Sequence, residues 1–88
     1  MKRLKINVYG IVQGVGFRFF AQNNARKLGI SGFVKNMPDG SVYIEGEGEE
    51  SNLQEFVSKC SKGPSAALVE NINTEEAELE NSEGFSIL

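Results

Sequence analysis

Two periods of hydrophobic residues alternate along the chain. Leu4, Ile6 and Val8 alternate with Lys5, Asn7 and Tyr9, the period of two that marks a strand with one buried face. From Phe17 the spacing changes: Phe17, Phe20, Ala21, Ala25 and Leu28 recur at steps that put them on one stripe of a helix, and Gly29 supplies its C-terminal stop. Phe33 and Val34 belong to a short strand that runs into Asn36-Met37-Pro38-Asp39-Gly40, after which Val42 and Ile44 alternate with Tyr43 and Glu45. Pro-Asp-Gly is turn chemistry, so these two strands form a hairpin. Leu53, Phe56, Val57 and Cys60 then follow helical spacing, with Ser51 and Gln54 at capping-box spacing around its start and Gly63-Pro64 closing the element. Residues 67–74 predict a strand, although its apolar residues choose no single face. Residues 75–83 are acidic and predicted to be exposed, and Phe85 and Ile87 alternate with Ser86 and Leu88 in a short last strand.

Strand, helix, hairpin, helix, strand is the split β-α-β-β-α-β order. It predicts an α+β fold, a ferredoxin-like two-layer sandwich in which two helices cover one face of an antiparallel sheet. With 88 residues, a single domain over 1–88 is expected. That fold hosts many unrelated activities, so function has to be read from particular residues.

Composition narrows the chemistry. There is no histidine and one cysteine, which removes the commonest general base and metal ligand, an internal disulfide and a multi-cysteine metal site. No stretch is apolar enough for a bilayer span or a secretory signal, so no membrane association and a cytoplasmic location are expected. The net charge of −3 argues against nucleic acid as a generic partner. The charge is also uneven: seven of the nine bases lie in residues 1–35, and eleven of the twelve acids lie at Glu45 or beyond. The first half is therefore the better host for a small anion.

At the junction of the first strand and helix stands Val12-Gln13-Gly14-Val15-Gly16-Phe17-Arg18. A helix start already carries the positive end of the macrodipole, so an arginine there is unfavourable by roughly 0.3–1 kcal/mol unless an anion lies between them. Gly14 and Gly16 allow successive backbone N–H groups to converge, and the helix adds its own unpaired donors, so loop and helix together make an anion cradle. Arg18 closes it with a planar fork that matches two phosphate oxygens. The phosphate-binding candidates are thus Gln13, Gly14, Val15, Gly16, Phe17 and Arg18. Nucleotide-loop patterns fail, since no G-x-x-x-x-G-K-[ST] is present and Phe19 breaks G-x-G-x-x-G. A cysteine nucleophile is excluded as well, because Val12 stands six residues before Arg18 and Cys60 lies on the core stripe of the second helix. The bland readings are a glycine-rich connection with a surface arginine, and an Asn36 that only helps form its turn.

Taken whole, Gly10–Arg18 (GIVQGVGFR), followed by Leu28–Gly48 (LGISGFVKNMPDGSVYIEGEG), closely resembles the two signature segments of the acylphosphatase family, and the later KGPSA and terminal FSIL extend the likeness. The resemblance implies a small enzyme that hydrolyses acyl phosphates to a carboxylate and inorganic phosphate with no metal and no cofactor. Arg18 would bind the phosphate with the loop backbone, and Asn36 would position the attacking water. Inorganic phosphate would be product and inhibitor, and a monomer is the default. Ile11, Ala21 and Phe33 depart from residues common among relatives. Two other functions compete. One is a non-catalytic module that binds phosphate or carbamoyl phosphate, like the acylphosphatase-like domain of hydrogenase maturation proteins; the absence of a fused domain in these 88 residues favours the free enzyme. The other is RNA binding through Tyr9 and Tyr43, should they face outward on the sheet.

Overall fold

The structure is a computed structural model and describes residues 1–88. Its elements are β1 (Lys2–Ile11), α1 (Phe17–Lys27), β2 (Ser31–Asn36), β3 (Val42–Gly48), α2 (Glu50–Lys62), β4 (Leu68–Ala77) and β5 (Phe85–Ile87). The sheet order is β4-β1-β3-β2-β5. The pairs β1–β3, β1–β4 and β2–β3 are antiparallel as expected, whereas β5 lies parallel to β2 and makes the sheet mixed. No helix is long and apolar enough to cross a membrane.

One face of the sheet is covered by both helices, α1 over β2 and β5 and α2 over β1 and β4. Between the layers lie Ile6, Val8, Val34, Val42 and Ile44 from the strands, with Phe17, Ala21 and Ala25 from α1 and Leu53, Phe56 and Cys60 from α2, all buried. These are the inward positions of the two periods. Cys60 packs as a small hydrophobe, and burial pushes its thiol pKa up to about 12, so little thiolate forms near neutral pH.

Three local features depart from the pattern. β4 continues to Ala77, so Glu75 and Glu76 are exposed but paired, opposite Lys5 and Leu4. Its faces looked mixed because of a bulge: Asn71 pairs with Tyr9 and Val69 with Gly10, leaving Glu70 as the extra residue. That residue reverses the alternation, so Val69 and Ile72, three apart, both pack toward the core. α2 begins at Glu50 with Glu49 as N-cap and no side-chain cap bond, so Ser51 and Gln54 form no capping box. Leu53 N–H already bonds Glu49 O at 2.9 Å, and Glu50 in the first turn pairs with Lys2 and complements the helix dipole.

The opposite face is crossed near the start of β1 by residues 78–84, which run from β4 at one edge to β5 at the other. Arg3 pins them. Its side chain is only 2% exposed and meets Glu45 at 2.8 Å, Glu47 at 3.2 Å and Glu80 at 3.6 Å, and it donates to Ser82 Oγ at 3.2 Å. Glu80 N–H donates to Glu47 Oε1 at 2.8 Å, and Gly32 N–H to Gly84 O at 2.9 Å. Each buried carboxylate of the cluster therefore has a partner, as burial of charge requires.

Candidate active site

The end of the sheet away from Arg3 carries the loop after β1 and the β2–β3 turn. Val8 and Asn36 both pair with Val42, one from each side, so the last residue of β2 stands two strands from β1, roughly 10 Å away. The loop closes that gap. Gly14 and Gly16 have φ of 74° and 81°, the left-handed region in which a β-carbon is strained, and Gly16 is the N-cap of α1. No side chain caps this helix start and no acidic residue lies in its first turn. The first backbone donor is Phe20 N–H, to Gly16 O at 3.0 Å; none of the N–H groups from Gln13 to Phe19 bonds a backbone carbonyl in a loop or cap. Loop and helix start thus present a run of donors with no internal claim on them.

Arg18 joins that run half-buried, and none of the five ion pairs in the protein includes it. Asn36 faces the same space. Its Oδ1 is the one buried side-chain polar atom with no hydrogen-bond partner. Leaving such an atom unpaired costs about 1–3 kcal/mol, so a native chain keeps one chiefly where something else is meant to fill the place. Turn-forming work falls to Asp39 instead, whose Oδ1 accepts from Ser41 N–H at 2.9 Å and Ser41 Oγ at 2.6 Å. Those bonds hold the Asp39 pKa below its usual value.

Val12, Gly14, Gly16, Phe17, Arg18, Phe19 and Asn36 line one pocket of about 150 Å³. Of the candidates read from sequence, Gly14, Gly16, Phe17, Arg18 and Asn36 therefore come together. Gln13 and Val15 do not line the pocket: Val15 packs against the core, and the Gln13 amide donates to Met37 O at 2.8 Å and to Ser41 O at 2.9 Å. Gln13 ties the arginine loop to the asparagine turn across the end of β3. Gln13→Ala should lower unfolding free energy by about 1–3 kcal/mol, the scale for two hydrogen bonds to partly buried carbonyls. A denaturant midpoint unchanged from the parent would remove that role. Sequence reasoning missed Val12 and Phe19 as pocket walls. The signal for Phe19 was its place off the apolar stripe of α1.

A loop of free N–H donors, a guanidinium and an orphaned amide carbonyl in one small pocket suit a tetrahedral anion and a water. The family model described as acylphosphatase matches residues 4–87. The chain belongs to the acylphosphatase family. It is 53% identical over 87 residues to an acylphosphatase of Thermotoga maritima, covering 99% of this chain and 97% of that protein. Its structure is similar to that of acylphosphatase from Bacillus subtilis, with a TM-score of 0.98, 44% identity and coverage of 100% and 99%. It is also similar to part of full-length HypF in the phosphate- and nucleotide-bound form, with a TM-score of 0.89 and 36% identity over 99% of this chain but 12% of that one. Ala21 is fully buried in the core, while Ile11 is exposed and does not line the pocket.

Proposed function

We propose that the chain hydrolyses the carboxyl–phosphate bond of acyl phosphates, with Arg18 and the loop N–H groups holding the phosphoryl group and Asn36 holding the water. The observation that carries this reading is the unpaired, buried Oδ1 of Asn36 in the same pocket as Arg18. That carbonyl oxygen accepts a hydrogen bond from water and aims the water at phosphorus. The new P–O bond forms as the bond to the acyl oxygen breaks; the carboxylate leaves with the bonding pair, and the proton of the water passes to solvent.

The pocket wall carries no imidazole, thiol or carboxylate, and this reaction manages without them. The acid of the leaving carboxylate has a pKa of roughly 4–5, so no general acid is needed. Phosphoryl transfer passes through a loose transition state in which positioning and charge stabilisation on the equatorial oxygens supply most of the acceleration. In this reading residues 1–88 act as one domain, a monomer in the cytoplasm, with small acyl phosphates as substrates and inorganic phosphate as product and inhibitor. Nucleic acid has no part in it.

Asn36→Ala separates binding from chemistry. Turnover of benzoyl phosphate should fall by roughly 10²–10³, the scale for one well-placed hydrogen-bonding group, while the inhibition constant of inorganic phosphate is kept. Were phosphate inhibition to weaken as much as turnover, Asn36 would be a ligand rather than the orienter of water. The likeness to 12% of HypF supports a second reading, an anion-binding module without turnover. Phosphate that raises the melting temperature of a chain unable to hydrolyse benzoyl phosphate would favour it.

A further inference from the structure

Phe19 is left over by both the core and the phosphate site. It is 72% exposed, although it follows directly on Arg18 and lines the same pocket. Its neighbours are used differently: Phe17 is buried, and its ring packs on Phe20 with centroids 5.9 Å apart. No other ring of the protein packs on Phe19 in this way. A large apolar side chain left in water beside a polar pocket gains from a ligand that covers it.

The depths of the two pocket walls say which part of a ligand meets it. Asn36 Oδ1 is buried and Phe19 is 72% exposed, so in the hydrolytic reading the water held by Asn36 lies on the inner side of the pocket and the Phe19 ring on its outer side, at the mouth. In-line displacement puts the attacking water and the leaving oxygen on opposite sides of phosphorus. With water on the inner side, the acyl group leaves toward the mouth, where Phe19 is the aromatic wall. We propose that Phe19 is a specificity-determining residue that packs on the acyl group and favours aromatic or extended apolar acyl phosphates over acetyl or carbamoyl phosphate. The inference rests on the hydrolytic reading above.

The ring meets the acyl group in ground and transition states alike, so its contribution belongs in KM and not in kcat. The test compares kcat/KM for benzoyl and acetyl phosphate in the full chain, Phe19→Ala and Phe19→Tyr. An aromatic pair is worth about 0.5–1.5 kcal/mol, so Phe19→Ala should lower the benzoyl-to-acetyl ratio roughly 2- to 12-fold, through a higher KM for benzoyl phosphate. Phe19→Tyr, which keeps the ring, should restore the ratio. A ratio that Phe19→Ala leaves unchanged overturns the proposal even if both rates fall, because a general loss reports helix or loop structure. That result leaves the hydrolytic reading standing. Failure of the unaltered chain to hydrolyse either compound overturns both.

Discussion

Arg18→Ala is expected to lower kcat/KM for benzoyl phosphate by at least about 10³-fold and to abolish inhibition by inorganic phosphate. A single arginine that neutralises a transferring phosphoryl group is worth about 10³–10⁵ in rate, and here it is the one side-chain cation lining the pocket. Arg18→Lys keeps the charge but loses the planar fork, so it should recover phosphate inhibition in part and turnover less well. Stability should move the other way. Arg18 has no carboxylate partner and stands in the first turn of α1, where a cation opposes the macrodipole, so its removal should leave stability level or raise it by up to about 1 kcal/mol. Thermal unfolding beside phosphate inhibition checks both halves. A variant that melts well below the parent, or is still inhibited by phosphate as before, would make Arg18 a structural residue.

Arg3→Ala is the largest expected change in stability. It strands Glu45 and Glu47 beneath residues 78–84 without their cation, and breaking a buried pair from one side costs about 3–5 kcal/mol. At about 4–8 °C per kcal/mol for a domain of this size, the melting temperature should fall by some 12–40 °C. Replacing the acids as well, as Arg3→Met with Glu45→Gln and Glu47→Gln, should recover much of the loss, because the cost lies in the uncompensated charge. A fall of only a degree or two for Arg3→Ala would show that the cluster is not holding the face.

The same cluster sets an acid limit. Burial works against the Glu45 carboxylate, but hydrogen bonds from Tyr43 and Arg3 outweigh it and hold its pKa below 4.5. The Glu47 pKa is lowered mainly by the Glu80 N–H, against burial, with help from Arg3. Folded values below unfolded ones mean that this stabilisation is complete above about pH 4.5 and is lost as pH falls through the folded values. The midpoint of acid unfolding of the parent should therefore lie below that pH.

Where one apolar face meets one period, the sequence was enough to place the elements. β1, α1, the hairpin and α2 each bury the stripe that periodicity selects, and their order dictates the two-layer sandwich. β4 resisted because the extra residue Glu70 reverses its alternation, and a bulge leaves no mark in hydrophobicity. Arg3 was hidden for a different reason. Its position in the alternation assigns it correctly to the face away from the helices, but only the return path of residues 78–84 makes that face buried.

The candidate site was legible in its chemistry more than in its geometry. A cation at a helix start and paired glycines announce an anion, and the resemblance to the family singles out Asn36. Nothing in the spacing of residues 18 and 36 says that they share a pocket; the position of β3 between β1 and β2 does that, and Gln13 fastens it. By its spacing alone, before Pro-Asp-Gly, Asn36 read more readily as a turn former. Asp39 carries out that task, which leaves the Asn36 carbonyl unpaired.

In the proposed mechanism this pocket directs water onto phosphorus without help from a metal. Hydrolysis of benzoyl phosphate in ¹⁸O-labelled water, with EDTA present, tests it most directly. Turnover well above the uncatalysed rate is expected, with the label in inorganic phosphate and none in benzoate. No turnover above background would contradict it, as would label in benzoate, since water would then have attacked the acyl carbon.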